Sequence, residues 1–428
     1  MVGFPYTMNR LSGAIISFLK WSERYTRTDM LYLASSAFWG NLGTISVTLF
    51  SLALYLVFAN VLSKETFGTY QYLLSLGALL GAFTITGMNA AVSRAVARGF
   101  DGSLREAIRF QLAWLWIPIA AALLGSAYYA LQGNIPLALG LALVGIGTPL
   151  INTFNTYSAF LVGKQDFKRV FLYNFAINVP FYVVLITSAF LTENPILLIG
   201  INVGIQVLGY FVAYRATLRT YTPSTATELG TRTYGTHLSV MGVPSTIALH
   251  LDAVLAFHFL GPVGVALFAF ATAIPERIGG LFKFLPSAAL PRFAHRSPEE
   301  VRGTIVRRLF LLLPILLIAA ALYALVAPFL FALLFPAYLD AIPYSQWYSL
   351  ILITVLTQIL VAALSAHQRV RQLYAFNIAS PVFQVVLQLI GVVLYGLWGL
   401  VAGRLLGALL SFFLALLLVL NRPKGDVR

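Results

Sequence analysis

The sequence predicts an all-α integral membrane protein: about twelve transmembrane helices in two six-helix lobes, related by a pseudo-two-fold axis along the membrane normal. Three observations carry this expectation. Hydrophobic residues fill 59% of the 428 positions, charged residues only 10%, and the mean hydropathy is +0.85, whereas a water-soluble domain carries roughly 25% charged residues. Apolar runs of about 20 residues, enough to cross a bilayer core, recur along the chain. The basic residues gather in short clusters between alternate runs, as membrane topology requires. A net charge of +14 would otherwise suggest phosphate backbones, but this placement argues against nucleic acid as a partner.

The first 30 residues read as a cytoplasmic segment. Leu11, Ala14, Ile15, Phe18 and Leu19 recur at helical spacing opposite Arg10, Lys20 and Arg24. That is the pattern of an interfacial amphipathic helix and not of a removable signal peptide. Spans are then expected near 34–60, 68–91, 110–131, 135–161, 170–191 and 195–216, and again near 238–260, 262–285, 307–335, 345–366, 373–395 and 397–420. Turn residues punctuate them, as in Gln132-Gly133-Asn134 and Gly261-Pro262. The corresponding organisation is an N-lobe over 31–217, a cytoplasmic linker over 218–237, a C-lobe over 238–420 and a cytoplasmic tail over 421–428.

Of the 28 lysines and arginines, all but Lys64 and Arg404 fall on one set of alternate loops. The positive-inside rule therefore places both termini in the cytoplasm of a multi-pass cell-membrane protein. A hydrophobic-Gly pair opens the second helix of each half, at Phe67-Gly68 and Val263-Gly264. Six spans per half give the halves the same orientation, with a cavity expected between them.

The absence of cysteine removes disulfides and thiolate metal sites, the five histidines show no paired-ligand spacing, and no phosphate-binding glycine loop is present. Neither an enzyme, a cofactor nor a metal is expected. The informative side chains are the ionisable ones inside spans. Asp252 lies about 12 Å from the outer end of its helix, counting 1.5 Å per residue. It is expected either to bind a coupling ion, a proton or sodium, or to pair with a buried polar group. His250 is expected to line the cavity. Glu276 and Arg277 follow Pro275; Arg277 is a candidate diphosphate contact because guanidinium offers paired donors, and Glu276 an ion-coupling group or the local balance of Arg277. Lys283 is placed to meet substrate at the cytoplasmic side or to snorkel to the interface. Arg404 is expected to hold substrate or to pair with Asp252. Arg94 and Arg98, one turn apart, form a basic face for substrate or anionic lipid, and Asn41 heads a series of span amides able to bind sugar hydroxyls or neighbouring helices.

Several stretches resemble one family. Leu251-Asp252 to Phe259-Leu260-Gly261, followed by Val263-Gly264, is similar to the seventh helix of polysaccharide flippases. Leu290-Pro291-Arg292, Ala327-Pro328 to Pro336-Ala337-Tyr338, and Ala59 to Tyr70 match further stretches, while Ala253, Ala266 and Pro336 depart from the usual pattern. The chain thus resembles the Wzx-like oligosaccharide flippases, in the superfamily of multidrug, oligosaccharidyl-lipid and polysaccharide exporters. The resemblance implies a monomeric flippase that moves a polyprenyl-diphosphate-linked oligosaccharide to the outer leaflet for surface polysaccharide assembly, by alternating access coupled to an ion gradient. The alternative within the superfamily is a cation-coupled multidrug extruder, whose cavity should be apolar and acidic where a diphosphate cavity should be net cationic.

Overall fold

A computed structural model describes residues 30–282, 285–286, 289, 293, 297–367 and 369–421. The amphipathic segment around Leu11–Leu19, the loop cation Lys283 and the stretch Leu290-Pro291-Arg292 lie outside them. Every regular element described is helical. In hydrocarbon no water can satisfy an open backbone, and a helix satisfies itself.

The N-terminal half comprises α1 (Met30–Val61), α2 (Lys64–Gly81), α3 (Met88–Ala97), α4 (Ser103–Trp114), α5 (Trp116–Leu131), α6 (Ile135–Phe154), α7 (Thr156–Gly163), α8 (Phe167–Leu191) and α9 (Pro195–Tyr221). The C-terminal half holds α10 (Thr231–Leu281), α11 (Pro298–Leu334), α12 (Ile342–Tyr348), α13 (Thr354–Ala366) and α14 (Val370–Leu420), with 3₁₀ turns at Pro336–Ala341 and Ser349–Ile353. Nine stretches among the described residues are long and apolar enough to cross a membrane. Two of them, α10 and α14, run 51 residues each and fold back on themselves at Gly261 (φ 73°) and Gly396 (φ 58°). Glycine alone occupies that backbone region without a side-chain penalty. Divided there, the nine become eleven, and the interrupted pair α2–α3 supplies a twelfth crossing. The α14 arms pack as a tight hairpin: Gly391 and Gly399 meet backbone to backbone, and the Ser380 and Ser411 hydroxyls lie 2.7 Å apart.

The break between α2 and α3 falls inside an expected continuous span. Ile85 adopts φ 53°, a strained conformation for a β-branched residue. Polar neighbours compensate the freed carbonyls. Gln111 donates to the Ile85 carbonyl at 3.2 Å, and Asn152 donates to the Thr84 hydroxyl at 3.0 Å and the Gly81 carbonyl at 3.4 Å. Two of the span amides are thus consumed by the fold. Asn202 is another, donating to the Tyr70 hydroxyl at 2.5 Å.

The halves meet along α2–α3 and α10. Toward the Lys64 end, Tyr72 stacks on Phe257 at 3.8 Å, and Phe67, Phe270 and Tyr338 form an aromatic plug. At the opposite, arginine-rich end the Gly87 amide donates to Ser239 at 2.9 Å, and Arg98 pairs with Glu228 at 2.6 Å. The same end holds Arg232 on Glu106 at 2.6 Å. The other flank behaves differently. α1 and the second arm of α10 touch near the Lys64 end, through Tyr55 and Phe270 at 5.8 Å, and a cavity is lined by Thr44, Thr48 and Tyr55 of α1 and by Thr272, Glu276 and Arg277 of α10. One further ion pair, Lys64–Asp340 at 3.1 Å, bridges the halves from outside the plug, with Asp340 75% exposed. Exposed pairs contribute about 1 kcal/mol or less. Lys64→Met should therefore shift thermal unfolding in nanodiscs hardly at all; a large drop would show that this bridge holds the halves closed.

Candidate functional site

The cavity between the halves has a volume of about 660 Å³. Its N-terminal wall is polar and uncharged: Thr44, Thr48 and Tyr55 from α1, Gln71 and Ser75 from α2. Its C-terminal wall carries the charge, with His250 and Asp252 on the first arm of α10, Glu276 and Arg277 on the second, and Arg404 on the second arm of α14. The hairpin turn at Gly261 brings the two arms of α10 alongside, so residues far apart in sequence share one wall.

Arg404 organises this wall. One guanidinium nitrogen donates to Asp252 Oδ2 and another to Glu276 Oε1 at 3.2 Å. The same Glu276 oxygen accepts from the buried Tyr348 hydroxyl at 2.9 Å, and Asp252 Oδ1 accepts from the Ala253 amide at 2.7 Å. Asp252 and Arg404 are nearly sealed, with side chains 11% and 10% exposed, while Glu276 is 49% exposed. A buried charge is tolerated only when paired and hydrogen-bonded, and both conditions hold for Asp252 and Arg404. The cluster is thus a closed ionic knot with one carboxylate open to the cavity.

Arg277 stands apart from its neighbour Glu276. Its guanidinium lies 4.8 Å from the Tyr55 ring centroid and donates to the Ala273 carbonyl at 3.2 Å. No carboxylate pairs with it among the described residues. Gln71 donates to the Tyr55 hydroxyl at 2.7 Å, fixing the ring on which Arg277 rests. Such a cation–π contact is worth about 0.5–2 kcal/mol.

The remaining sequence candidates lie elsewhere. Arg94 and Arg98 are outside the cavity, at the arginine-rich end of the closed seam, where both approach Glu228 and Arg94 lies over Tyr234 at 5.1 Å. Asn41 is exposed on α1, on the face of Thr44 and Thr48 but a turn nearer the arginine-rich end, and does not line the cavity. Tyr55, Gln71 and Tyr348 join the site without a signal in the sequence. Among 21 tyrosines nothing local distinguishes two that contact charged groups.

Among the described residues the lining is neither net cationic nor net acidic. The guanidiniums of Arg277 and Arg404 are matched by the carboxylates of Asp252 and Glu276. Arg404 takes the pairing alternative and is engaged by both acids.

No family profile matches this sequence, and no curated protein does. Solved structures do. The inward-facing conformation of a multidrug resistance MATE family transporter of the MOP superfamily aligns over 88% of this chain and 96% of its own, at TM-score 0.66 and 18% identity. The outward-facing conformation of such a transporter aligns over 90% and 94% at TM-score 0.56 and 17% identity. A MOP superfamily transporter from Pyrococcus furiosus, described as having a binding pocket of reverse polarity that suggests a different function, covers 90% and 94% at TM-score 0.57 and 17% identity. The fold is therefore that of the MATE transporters, an all-α membrane architecture of two lobes.

Proposed function

We propose that this chain is a cation-coupled exporter working by alternating access in the cell membrane, with its arginine-rich end and both termini in the cytoplasm. The observation that carries the reading is the Arg404 knot: two intramembrane carboxylates share one guanidinium, and Glu276 faces the cavity. Ionisable groups inside a bilayer are expensive and mark ion pathways. A proton or sodium ion arriving on Glu276 weakens its hold on Arg404, leaving Arg404 to Asp252 alone and freeing Tyr348. The two arms of α10 and the second arm of α14 are then no longer tied through one point, and the C-lobe can change its packing. His250, on the same wall, lies within the field of this cluster. The cargo that the neighbours' names favour is an organic solute of the multidrug type, taken up from the cytoplasmic side and released when the aromatic plug opens. In proteoliposomes, an imposed proton or sodium gradient should drive ethidium transport, and Glu276→Gln should abolish the gradient dependence. Transport that ignores both gradients would remove ion coupling from the account.

A second cargo, a polyprenyl-diphosphate-linked oligosaccharide, is favoured by Arg277. Its guanidinium sits in the cavity with no carboxylate partner among the described residues, and paired N–H donors suit a phosphate. Arg277→Gln separates the two cargoes. Under the second reading, translocation of a fluorescent polyprenyl-diphosphate trisaccharide falls at least about tenfold, the scale of one charge-assisted hydrogen bond, while ethidium transport persists. Loss of ethidium transport with no change for the lipid would favour the first.

A further inference from the structure

A second cavity, of about 530 Å³, lies within the N-lobe beside the first. Thr44 and Thr48 of α1 line both, so the two spaces share a wall. Facing α1 are Asn174 and Asn178, one turn apart on α8, with Asn155 at the α6–α7 junction. Trp39, Phe171 and Tyr210 add ring surface, and the Trp39 and Phe171 rings lie 5.4 Å apart at 37°. No charged side chain among the described residues lines this cavity. Asn174 Oδ1 accepts from Tyr157 at 3.0 Å, but its amide nitrogen has no partner among the described residues, nor have the side chains of Asn155 and Asn178.

We propose that this N-lobe cavity binds an uncharged polyhydroxylated group, that is, a sugar. Each side-chain amide offers two donors and an acceptor, which is the inventory that a ring of hydroxyls requires. The aromatic rings offer flat apolar faces for the C–H surfaces of a pyranose. Other ligand classes fit less well. Among the described residues a cation would meet no carboxylate here and an anion no guanidinium, and a purely apolar group would leave three amides unsatisfied in a nonpolar setting.

The C-lobe repeats the feature. The fifth and eleventh crossings, α8 and the first arm of α14, both carry asparagine as their eighth residue, Asn174 and Asn377. Asn377 lines a smaller cleft of about 270 Å³ with Ser245, Ser380 and Gln384, between the seventh and eleventh crossings, the counterparts of α1 and α8. An uncharged amide cleft thus recurs at matching places in two halves. In the C-lobe Gln384 is engaged by Ser380 at 3.4 Å, and the space is half as large, so the N-lobe cavity is the one that takes the sugar.

This inference rests on the second cargo reading but concerns binding alone, so its test uses no ion gradient. The full chain is placed in phospholipid nanodiscs with Trp39 as the sole tryptophan, the other five replaced by Phe. Free chitotriose and chitotriose on a polyprenyl diphosphate are titrated against Trp39 emission, with tetraphenylphosphonium as the charged comparison. A saturable change with at least one glycan is expected. Asn174→Leu/Asn178→Leu should weaken it at least about tenfold and Asn174→Gln by less than about threefold. Response to the lipid-linked form alone means the sugar arrives on its carrier; response to both means that the sugar itself suffices. If the double variant fails to fold, Asn155→Leu replaces it. No saturable glycan response, a response to tetraphenylphosphonium alone, or glycan affinity unchanged in the leucine variants overturns the proposal. Ethidium transport that persists in that case leaves the exporter reading standing.

Discussion

Asp252→Leu should destabilise the protein by about 3–5 kcal/mol, because it leaves the Arg404 guanidinium buried against an apolar side chain. Glu276 cannot compensate fully: it is half exposed, a single 3.2 Å contact joins it to Arg404, and its oxygen is shared with Tyr348. The double variant Asp252→Leu/Arg404→Met should recover most of the loss, since apolar replacement of a whole buried pair is often neutral or stabilising. Denaturant unfolding in nanodiscs reads both. Transport separates structure from mechanism. If the knot only holds helices together, the refolded double variant transports. If it couples an ion to export, the double variant is as stable as the wild type yet inactive, with ethidium flux at the level of empty vesicles. Recovery of flux together with stability would demote Asp252 and Arg404 to scaffold.

Much of this architecture was legible because hydrocarbon demands it. A span needs about 20 apolar residues, so the crossings could be placed by length alone, and Gly261-Pro262 marked a hairpin that the structure shows. The break at 82–87 was not legible. Ala82, Phe83 and Ile85 read as a continuing apolar helix, and what allows the helix to stop there is supplied from other spans by Gln111 and Asn152. Pairing was half legible. Asp252 and Arg404 are legible as possible partners because both are charged and both lie inside spans. Glu276 and Arg277, adjacent in sequence, diverge by about 100° around the helix, which predicts that they separate but not that one reaches Arg404 and the other Tyr55. The cavity's charges among the described residues balance for the same reason: sequence supplies charges, and only packing assigns their partners. Amides divide likewise. Asn152 and Asn202 close gaps in the fold, whereas Asn155, Asn178 and Asn377 line cavities, and their local sequences do not distinguish the two roles.

Gly68→Val should trap the protein with its Lys64 end open. Gly68 lies in the first turns of α2, and a Cβ there would overlap the carbonyl of Pro262 in the α10 hairpin. The obstacle is backbone on a turn fixed by Gly261 and Pro262, so no side chain can rotate aside and the halves must part at this point. Overpacking costs about 1–3 kcal/mol, and the outward- and inward-facing states of a two-state protein differ by only a few kcal/mol. About 2 kcal/mol against the closed plug therefore changes the population ratio some 30-fold, enough to reverse which state dominates. The chain has no cysteine, so Ser75→Cys in the cavity wall is a clean reporter. In the parent it should react with a membrane-impermeant thiol reagent from the arginine-rich side, and in Gly68→Val from the Lys64 side. Gly68→Ala, with the same Cβ but no branch, should shift the labelling in the same direction by less. Unaltered sidedness in a folded Gly68→Val protein would mean that the α2–α10 seam is not the moving gate. The motion would then have to come from α1 and the second arm of α10, which line the cavity from its two sides.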